Sequence, residues 1–261
     1  MQATTILDVQ GIRKSLGEGA ARQVIIGDLS FAARPGEFLS VVGPSGCGKT
    51  TLLMCLAGLY GVDGGSVHFE RQAVSAPPPG LSVVFQDYSR SLLPWKNNLD
   101  NVIFGMKRTT LADADKRKRA GELLAAVGLV GYEKHYPWQV SGGMQQRVAI
   151  ARGLAAQSRL LLLDEPLAAV DAQTRAELQD LLLELAQRFN QTCLLVTHDV
   201  DEAVYMADRV IVLSRRPTRV VADLPVALPK PRDQLATREL RAYLDLRHEV
   251  ITMIRSMRQA A

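Results

Sequence analysis

The sequence predicts an α/β protein organised around a mainly parallel sheet. Short apolar runs alternate with longer helical segments along the 261 residues, which is the pattern of parallel strands joined by helical crossovers. Apolar residues make up 47% of the chain and charged residues 22%, as in ordinary soluble globular proteins. A chain of this length can bury a full core without disulfides or metals. Length and composition together exclude a mostly disordered chain and a small disulfide-built scaffold.

Five short segments are expected to form the buried strands of this sheet. Each is almost entirely apolar and too short for a helix, which is typical of strands covered on both faces. The predicted strands are Phe38–Val42, Leu81–Phe85, Leu160–Leu163, Thr192–Val196 and Arg209–Leu213.

The segment between the second and third of these strands has a different character. Residues 92–152 are predicted to be mostly helical, and within them Asp113–Val127 carries charges on one face and leucines on the other. We interpret this segment as a helical insertion into an α/β core. The chain is predicted to be a single domain with a core at about 1–90 and 153–214, a helical subdomain at about 91–152 and a basic extension at about 215–261.

The C-terminal extension differs from the rest of the chain in charge. Residues 215–261 hold ten basic and five acidic residues, whereas the remainder is nearly neutral. The extension is predicted to be helical from about Gln234, with one apolar stripe formed by Leu240, Leu244, Ile251 and Ile254. Such a helix packs on the core, which we favour, or contacts anionic lipid or a regulator. The neutral body lacks a basic stripe, so no nucleic-acid partner is expected.

Targeting signals are not evident in the sequence. The first residues lack the basic and apolar regions of a signal peptide, and the longest uncharged apolar stretch, Thr50–Val62, is shorter than a bilayer span. The chain is therefore expected to remain on the cytoplasmic side.

A glycine-rich loop follows the first predicted strand and precedes a helix expected from Lys49 to Ala57. The loop, Gly43–Thr50, fits the pattern G-x-x-x-x-G-K-[ST]. Its glycines let successive backbone amides approach phosphate oxygens, and the helix adds its positive N-terminal end. Lys49 supplies a charge for the β- and γ-phosphates, and the Thr50 hydroxyl can ligate Mg²⁺. The loop therefore predicts a nucleotide-phosphate site.

The third predicted strand ends in two carboxylates, Asp164 and Glu165. Ligands of parallel sheets bind at the carboxyl ends of strands. Side chains alternate in direction along a strand, so the two carboxylates are expected to have different tasks. Asp164 is the candidate for holding Mg²⁺ through water, and Glu165 is the candidate general base for an attacking water.

Three further elements accompany these motifs. Ser141 and two glycines stand just ahead of a helix predicted to run to about Ala156, which makes a second helix N-terminus suited to an anion. Gln86 follows one predicted strand and His198 follows another. Each of these elements alone is more often purely structural.

Together and in this order the motifs resemble the ATP-binding cassette family over roughly residues 7–213. The resemblance implies a P-loop NTPase (RecA-like) core with a mainly parallel sheet, a small antiparallel β region and a helical insertion subdomain. It implies that ATP and Mg²⁺ are bound, that Leu16 takes the place of the usual adenine-stacking aromatic, and that Ala168–Asp171 is the D-loop. The nucleotide-binding residues so implied are Gly43, Pro44, Ser45, Gly46, Cys47, Gly48, Lys49, Thr50, Thr51 and Leu16; the catalytic residues are Lys49, Gln86, Glu165 and His198; the magnesium ligands are Thr50, Gln86 and Asp164; the signature is Ser141, Gly142, Gly143, Met144 and Gln145, and the D-loop acid is Asp171.

The resemblance also implies partners. The family works as a head-to-tail dimer that sandwiches each ATP between the phosphate loop of one copy and the signature of the other, so a homodimer is expected. The run Leu92-Leu93-Pro94-Trp95 looks like that of importer ATPases for nitrate, sulfonate and taurine, where this stretch receives a separate permease. We expect Leu92, Leu93 and Trp95 beside Pro94 to form an exposed apolar patch; the alternative is that Trp95 anchors the helical insertion.

The function expected from this branch is ATP-driven uptake of a small anionic solute. An aliphatic sulfonate or taurine is favoured, and nitrate or another solute is the alternative. The expected partners are an integral-membrane permease and, indirectly, a periplasmic or extracellular substrate-binding protein. The chain itself is expected at the cytoplasmic face of the inner membrane.

Other functions fit the sequence less well. A cassette of DNA repair or chromosome structure would carry a long coiled coil between the phosphate loop and the signature, and no sustained heptads occur there. A GTPase would carry an Asn-Lys-x-Asp base reader, which is lacking, and a GTPase or kinase would leave the signature unexplained. A cassette that binds ATP without hydrolysis is disfavoured because Glu165 and His198 are both present.

Overall fold

The computed structural model describes residues 5–87, 91–168 and 170–259. The chain forms two compact units, one built from the chain up to Pro78 together with the chain from Leu183, and the other from Pro79–Leu182. We call them unit 1 and unit 2. The finer division into core, helical subdomain and extension stays a prediction.

The secondary structure alternates strands and helices for most of its length. The strands are β1 (Leu7–Leu16), β2 (Gln23–Ala33), β3 (Phe38–Val42), β4 (Gly64–Phe69), β5 (Gln72–Ala73), β6 (Leu81–Val84), β7 (Leu160–Asp164), β8 (Thr192–Thr197), β9 (Arg209–Leu213) and β10 (Val220–Pro225). The α-helices are α1 (Lys49–Leu56), α2 (Asn98–Gly105), α3 (Asp113–Ala126), α4 (Gly142–Ala155), α5 (Ala172–Arg188), α6 (Val200–Met206), α7 (Ala236–Glu239) and α8 (Arg241–Gln259). All five predicted strands are present, with ends within a residue of the prediction.

The core of unit 1 is a sheet centred on β3. This strand pairs in parallel with β8 on one side and β9 on the other, and β10 pairs antiparallel with β9. Every residue of β3 and β8 is buried, because helices cover both faces of a parallel sheet. The carboxyl ends of β3 and β8 therefore lie at the same edge, with Val42 opposite Thr197.

A second sheet in unit 1 is antiparallel, with strand order β2-β1-β4-β5. Its strands β1 and β2 are the long ones, with 10 and 11 residues, and β1 alternates buried residues such as Leu7 and Val9 with less buried neighbours. Such alternation is typical of a sheet with one solvated face. This sheet is the small antiparallel region that the sequence resemblance implied, and it carries Leu16 at the end of β1.

Unit 2 combines a strand pair with helices. Strands β6 and β7 are parallel, with Val84 opposite Leu163. Helix α3 confirms the predicted amphipathic segment, with Leu123 and Leu124 buried and Val127 as its C-cap. Helix α4 begins directly after Ser141.

The C-terminal helix α8 packs against α6 within unit 1, but the predicted stripe is partly wrong. Leu240 and Leu244 are 36% and 45% exposed, whereas Tyr243 and Val250 are 2% and 0% exposed. The buried face of the helix differs from the predicted one because a polar contact fixes Tyr243 inside. The Tyr243 hydroxyl donates a hydrogen bond to Asp201 Oδ1 at 3.0 Å. In residues 5–87, 91–168 and 170–259, no helix has both the length and the continuous apolar character needed for a bilayer crossing.

Candidate functional site

The phosphate loop of unit 1 has the backbone geometry that its glycines allow. Gly46 and Gly48 adopt φ angles of +74° and +112°, which residues with a side chain rarely adopt. A Cβ on Gly48 would lie 2.6 Å from Ile25 Cγ2. The loop therefore needs glycine at this position both for its conformation and for the space beneath it.

Lys49 begins α1 and is only 6% exposed. Its Nζ donates hydrogen bonds to the carbonyl oxygens of Gly43 at 3.1 Å and Pro44 at 3.3 Å. The ammonium is thereby held over the first residues of the loop. Thr50 follows on the first turn of α1 and is exposed, while Thr51 is half-buried.

A cavity of about 410 Å³ opens beside this loop, a size typical of small-ligand sites. Two arginines from the turn after β9 share its wall with the loop. The lining residues are Pro44, Ser45, Gly46, Cys47, Arg215 and Arg216. These arginines were not among the predicted site residues, although a basic pair directly after a core strand could have indicated them.

Two other predicted residues of unit 1 occupy strand ends. Leu16 ends β1, is 36% exposed and lies opposite Gln23 of β2, so its side chain is available for apolar contact with a base. His198 directly follows β8 and is exposed. Asp199 then caps α6 by accepting a hydrogen bond from the backbone N–H of Glu202 at 3.1 Å, which fixes the chain immediately after the histidine.

The two carboxylates at the end of β7 in unit 2 differ in environment. Asp164 is 3% exposed, whereas Glu165 is half-buried and has a φ of +45°. A non-glycine residue in the left-handed region is strained, and such strain often marks functional sites. Gln86, just beyond β6, donates a hydrogen bond from Nε2 to Glu165 Oε2 at 3.4 Å. The structure thus brings together two predicted catalytic residues.

The signature residues form the start of α4. Ser141 is the N-cap, and its Oγ accepts a hydrogen bond from the backbone N–H of Met144 at 3.3 Å. Ser141 and Gly142 are exposed, and Gly143 is half-buried. A Cβ on Gly143 would lie 3.3 Å from Thr174 Cγ2, which is a tight contact. Gln145 Nε2 donates to the carbonyl of Pro137 at 2.9 Å. The first residues of this helix end, Ser141 and Gly142, therefore lie on the surface of unit 2.

Asp171 lies at the start of α5. Its Oδ1 accepts a hydrogen bond from the backbone N–H of Thr174 at 3.0 Å, and this bond lowers the pKa of the carboxyl. Asp171 is thus a helix cap that stays ionised. Ala169 of the predicted D-loop lies outside the described residues.

The prediction that Leu92 belongs to an exposed apolar patch is wrong. Leu92 is 2% exposed and belongs to the core of unit 2, not to a surface patch. The flanking backbone is fixed on both sides, because Arg152 donates to Ser91 Oγ at 2.8 Å and Asn101 Oδ1 accepts from the Leu93 N–H at 2.8 Å. Tyr88, Ser89 and Arg90 lie outside the described residues.

Trp95 is 71% exposed, so the alternative that it anchors the helical insertion is wrong. Pro94 beside it is also exposed, and Leu93 is half-buried. Asn101 holds this turn by donating to the carbonyls of Leu93 and Lys96 at 3.1 and 3.0 Å. The surface patch is therefore Leu93, Pro94 and Trp95.

Comparisons with known proteins agree with these motifs. A family model described as ABC transporter matches residues 26–168. The chain is 48% identical over 229 residues to the aliphatic sulfonates import ATP-binding protein SsuB of Ralstonia nicotianae, covering 87% of this chain and 75% of that protein. It is 43% identical over 246 residues to the nitrate import ATP-binding protein NrtC of Synechococcus elongatus, covering 93% of this chain but only 37% of that longer protein.

A solved structure is similar over most of the chain. The dimeric post-hydrolysis state of the ATP-binding cassette MJ0796 with ADP and Pi has a TM-score of 0.74 and 29% identity, covering 84% of this chain and 98% of that one. The matched fold and the family match agree with the P-loop NTPase architecture. The chain belongs to the ABC transporter family and is one of its ATPases.

Proposed function

We propose that this chain is the ATP-hydrolysing subunit of an importer for a small anionic solute, with aliphatic sulfonates, including taurine, as the favoured class. The observation that carries the ATPase part is the Gly43–Thr50 loop, folded between a buried strand and a helix with Lys49 over it. The importer part is supported by the 48% identity to a sulfonate import protein. Nitrate is the alternative solute, since NrtC is nearly as similar.

In this proposal the phosphates of ATP lie against the backbone N–H groups of the loop residues that follow Pro44, and Lys49 neutralises the β- and γ-phosphates. Thr51 extends this contact from α1. Leu16 contacts the base through apolar surface, in the place where the family has an aromatic ring. The site therefore takes most of its affinity from the phosphates.

The residues proposed for Mg²⁺ fit a hard cation. Thr50, Gln86 and Asp164 offer a hydroxyl, an amide and a carboxylate oxygen, the ligand types that Mg²⁺ prefers. In nucleotide sites Mg²⁺ is usually held by one or two protein ligands together with phosphate and water. When bound, Mg²⁺ would offset the charge that develops on the phosphoryl oxygens.

Hydrolysis in this proposal depends on side chains of this chain. Glu165 accepts the proton of the attacking water, and Gln86, hydrogen-bonded to it, orients the carboxylate. His198 stabilises the charge that develops on the transferred phosphoryl group. The exposed start of α4 contacts the nucleotide of a second copy through Ser141 and Gly143. Met144 and Gln145 belong to the same helical turn. Asp171 is the D-loop residue beside that interface. A homodimer is therefore proposed.

The permease contact in this proposal is the surface patch Leu93, Pro94 and Trp95. A large exposed aromatic beside a proline is the kind of anchor that fills a pocket on a partner. The partner proposed is an integral-membrane permease, which would place the chain at the cytoplasmic face of the inner membrane. A substrate-binding protein outside that membrane would select the solute.

The test of the nucleotide assignment is ATP binding and phosphate release by the purified chain with Mg²⁺. Lys49→Ala should weaken ATP binding by about one to two orders of magnitude, as expected for a charged hydrogen bond of about 1.5–3 kcal/mol. Lys107→Ala, which removes an exposed lysine in unit 2, should leave both measurements unchanged. Unimpaired binding by Lys49→Ala would refute the phosphate assignment.

The test of the solute is growth of a strain that lacks this gene. Loss of growth with an alkanesulfonate or taurine as sole sulfur source, with normal growth on sulfate, supports the sulfonate class. Normal growth on sulfonates combined with failure on nitrate as sole nitrogen source would reassign the solute to nitrate.

A further inference from the structure

The turn between β9 and β10, residues 214–219, lies directly beneath the phosphate loop. Thr218 is fully buried and its hydroxyl donates a hydrogen bond to the carbonyl of Cys47. Its backbone N–H also donates to the carbonyl of Ile25 at 2.8 Å, and its own carbonyl accepts from Gly27 at 3.0 Å. The turn is thus joined both to the loop and to β2.

The hydrogen bond from Thr218 acts on the orientation of the loop. A carbonyl that is bound from below cannot turn toward the phosphate side, where it would repel an anion. The space for this arrangement depends on Gly48, since a Cβ there would lie 3.3 Å from Thr218 Oγ1. Thr218 therefore holds the Cys47 carbonyl in this orientation.

Arg216 is carried by the same turn and lines the 410 Å³ cavity with the loop. Its Nη1 donates a hydrogen bond to Gln23 Oε1 at 3.0 Å. Gln23 lies opposite Leu16 in the antiparallel register. The guanidinium is thus held between the phosphate loop and the strand end proposed to contact the base.

The positive charge of Arg216 acts on the Cys47 thiol of the loop. Burial raises the pKa of the Cys47 thiol, while the positive charges of Lys49 and Arg216 act in the opposite direction. The cavity lining contains two arginines and no acidic residue, so its potential favours an anion.

We propose that Arg216 is a second cationic residue that binds the nucleotide phosphates, and that Thr218 positions the loop and the turn for this contact. The inference rests on the proposed nucleotide site. A guanidinium matches phosphate oxygens with a planar pair of donors, whereas Lys49 is a point charge. With a leucine in place of a base-stacking ring at residue 16, such an added phosphate contact supplies affinity that the base does not.

The experiment measures binding of ATP to the purified full chain by calorimetry, with inorganic tripolyphosphate as a second ligand. R216A should raise the Kd for ATP about 5- to 10-fold, between the values for an exposed ion pair and a charged hydrogen bond. The Kd for tripolyphosphate should rise by the same factor, because the contact is to phosphate and not to the base. R219A removes an equal charge from the same turn without touching the cavity lining and should change Kd less than about twofold.

The positioning role of Thr218 has its own pair of variants. T218V lacks the hydroxyl and should raise the Kd for ATP and tripolyphosphate alike, while T218S keeps the hydroxyl and should bind as the wild type does. Thermal unfolding of both variants separates a loss of fold from a loss of binding. If T218S and T218V raise the Kd for ATP equally, the hydroxyl hydrogen bond of Thr218 does not position the loop.

Failure of this inference is distinct from failure of the proposed function. If R216A binds ATP as R219A does while K49A loses binding, Arg216 is not a phosphate residue and the nucleotide site stands. If K49A also binds ATP normally, the nucleotide site itself is wrong. A loss in R216A that is confined to ATP and spares tripolyphosphate overturns the phosphate contact.

Discussion

The amide of Gln86 donates a hydrogen bond to the carboxylate of Glu165 across 3.4 Å. The two residues follow β6 and β7, which are parallel and place Val84 opposite Leu163, so the chain segments beyond them emerge at the same edge of the sheet. Glu165 has a φ of +45°, a strained backbone that the turn after β7 maintains. This contact joins Gln86 to the proposed catalytic base.

Replacement of Glu165 by glutamine should separate ATP binding from ATP hydrolysis. The amide keeps the size and the hydrogen-bonding capacity of the side chain but cannot take a proton from water, so kcat should fall about 10²- to 10³-fold. ATP binding should persist, and size-exclusion chromatography should then show a dimer that forms only with ATP. The measurements are phosphate release and elution volume with and without ATP.

The control for this prediction is Glu177→Gln, which changes an exposed carboxylate of unit 2 paired with Arg147 at 3.0 Å. It should hydrolyse ATP at the wild-type rate. Normal turnover by Glu165→Gln would show that another group accepts the proton.

The sheet strands and the phosphate loop could be predicted because their signals are local. Leu160–Leu163 is uniformly apolar and short, which leaves only a buried strand, and the loop motif is contiguous. The bond between Thr218 and Cys47 joins residues 171 positions apart, so no local pattern indicates it. Arg216 could not be predicted for the same reason, because its place in the cavity depends on how a turn distant in the sequence folds against the loop.

Burial in mixed apolar segments was the other feature that the sequence could not resolve. Leu92 and Trp95 stand in one short apolar run, yet one is 2% exposed and the other 71%. The difference is set by Asn101, from a later helix, which fixes the turn at Leu93. In α8, Tyr243 takes the buried face in place of Leu244 because its hydroxyl has a partner on α6, and Leu240 lies just before the helix begins.

Replacement of Trp95 by alanine should weaken binding to the permease and spare ATP hydrolysis by the isolated chain. Loss of a central aromatic anchor costs on the order of 2 kcal/mol or more, about 30-fold in affinity. The measurement is the amount of permease that co-purifies when the two are co-expressed from the same gene neighbourhood.

A matched control is Trp138→Ala, because Trp138 is also in unit 2 and is 70% exposed. It should co-purify the permease as the wild type does. If both variants behave alike, the permease does not recognise the patch around Trp95.

Replacement of Arg247 by alanine should destabilise the chain in a pH-dependent way. Arg247 binds Asp201 through Nε–Oδ1 at 2.5 Å and Nη2–Oδ2 at 3.2 Å, and Tyr243 donates to the same carboxylate. Burial raises the pKa of Asp201, but the hydrogen bonds from Arg247 and Tyr243 outweigh it and lower the pKa below its usual value. Since both charged side chains are about 40% exposed, the loss in free energy of unfolding should be about 0.5–1 kcal/mol at pH 7.

The sign of the pH dependence follows from the lowered pKa of Asp201. The carboxylate stabilises the folded state fully above its usual pKa of 3.8, and this contribution is lost as the pH falls through the lower folded value. The difference between wild type and Arg247→Ala should therefore be constant from pH 7 to about pH 5 and shrink below about pH 4. Urea unfolding at a series of pH values measures it, with Arg255→Ala, an exposed arginine on the same helix, expected to match the wild type throughout. A difference between wild type and Arg247→Ala that stays constant down to pH 3 would mean that packing of the arginine stem, and not its pairing with Asp201, holds α8 against α6.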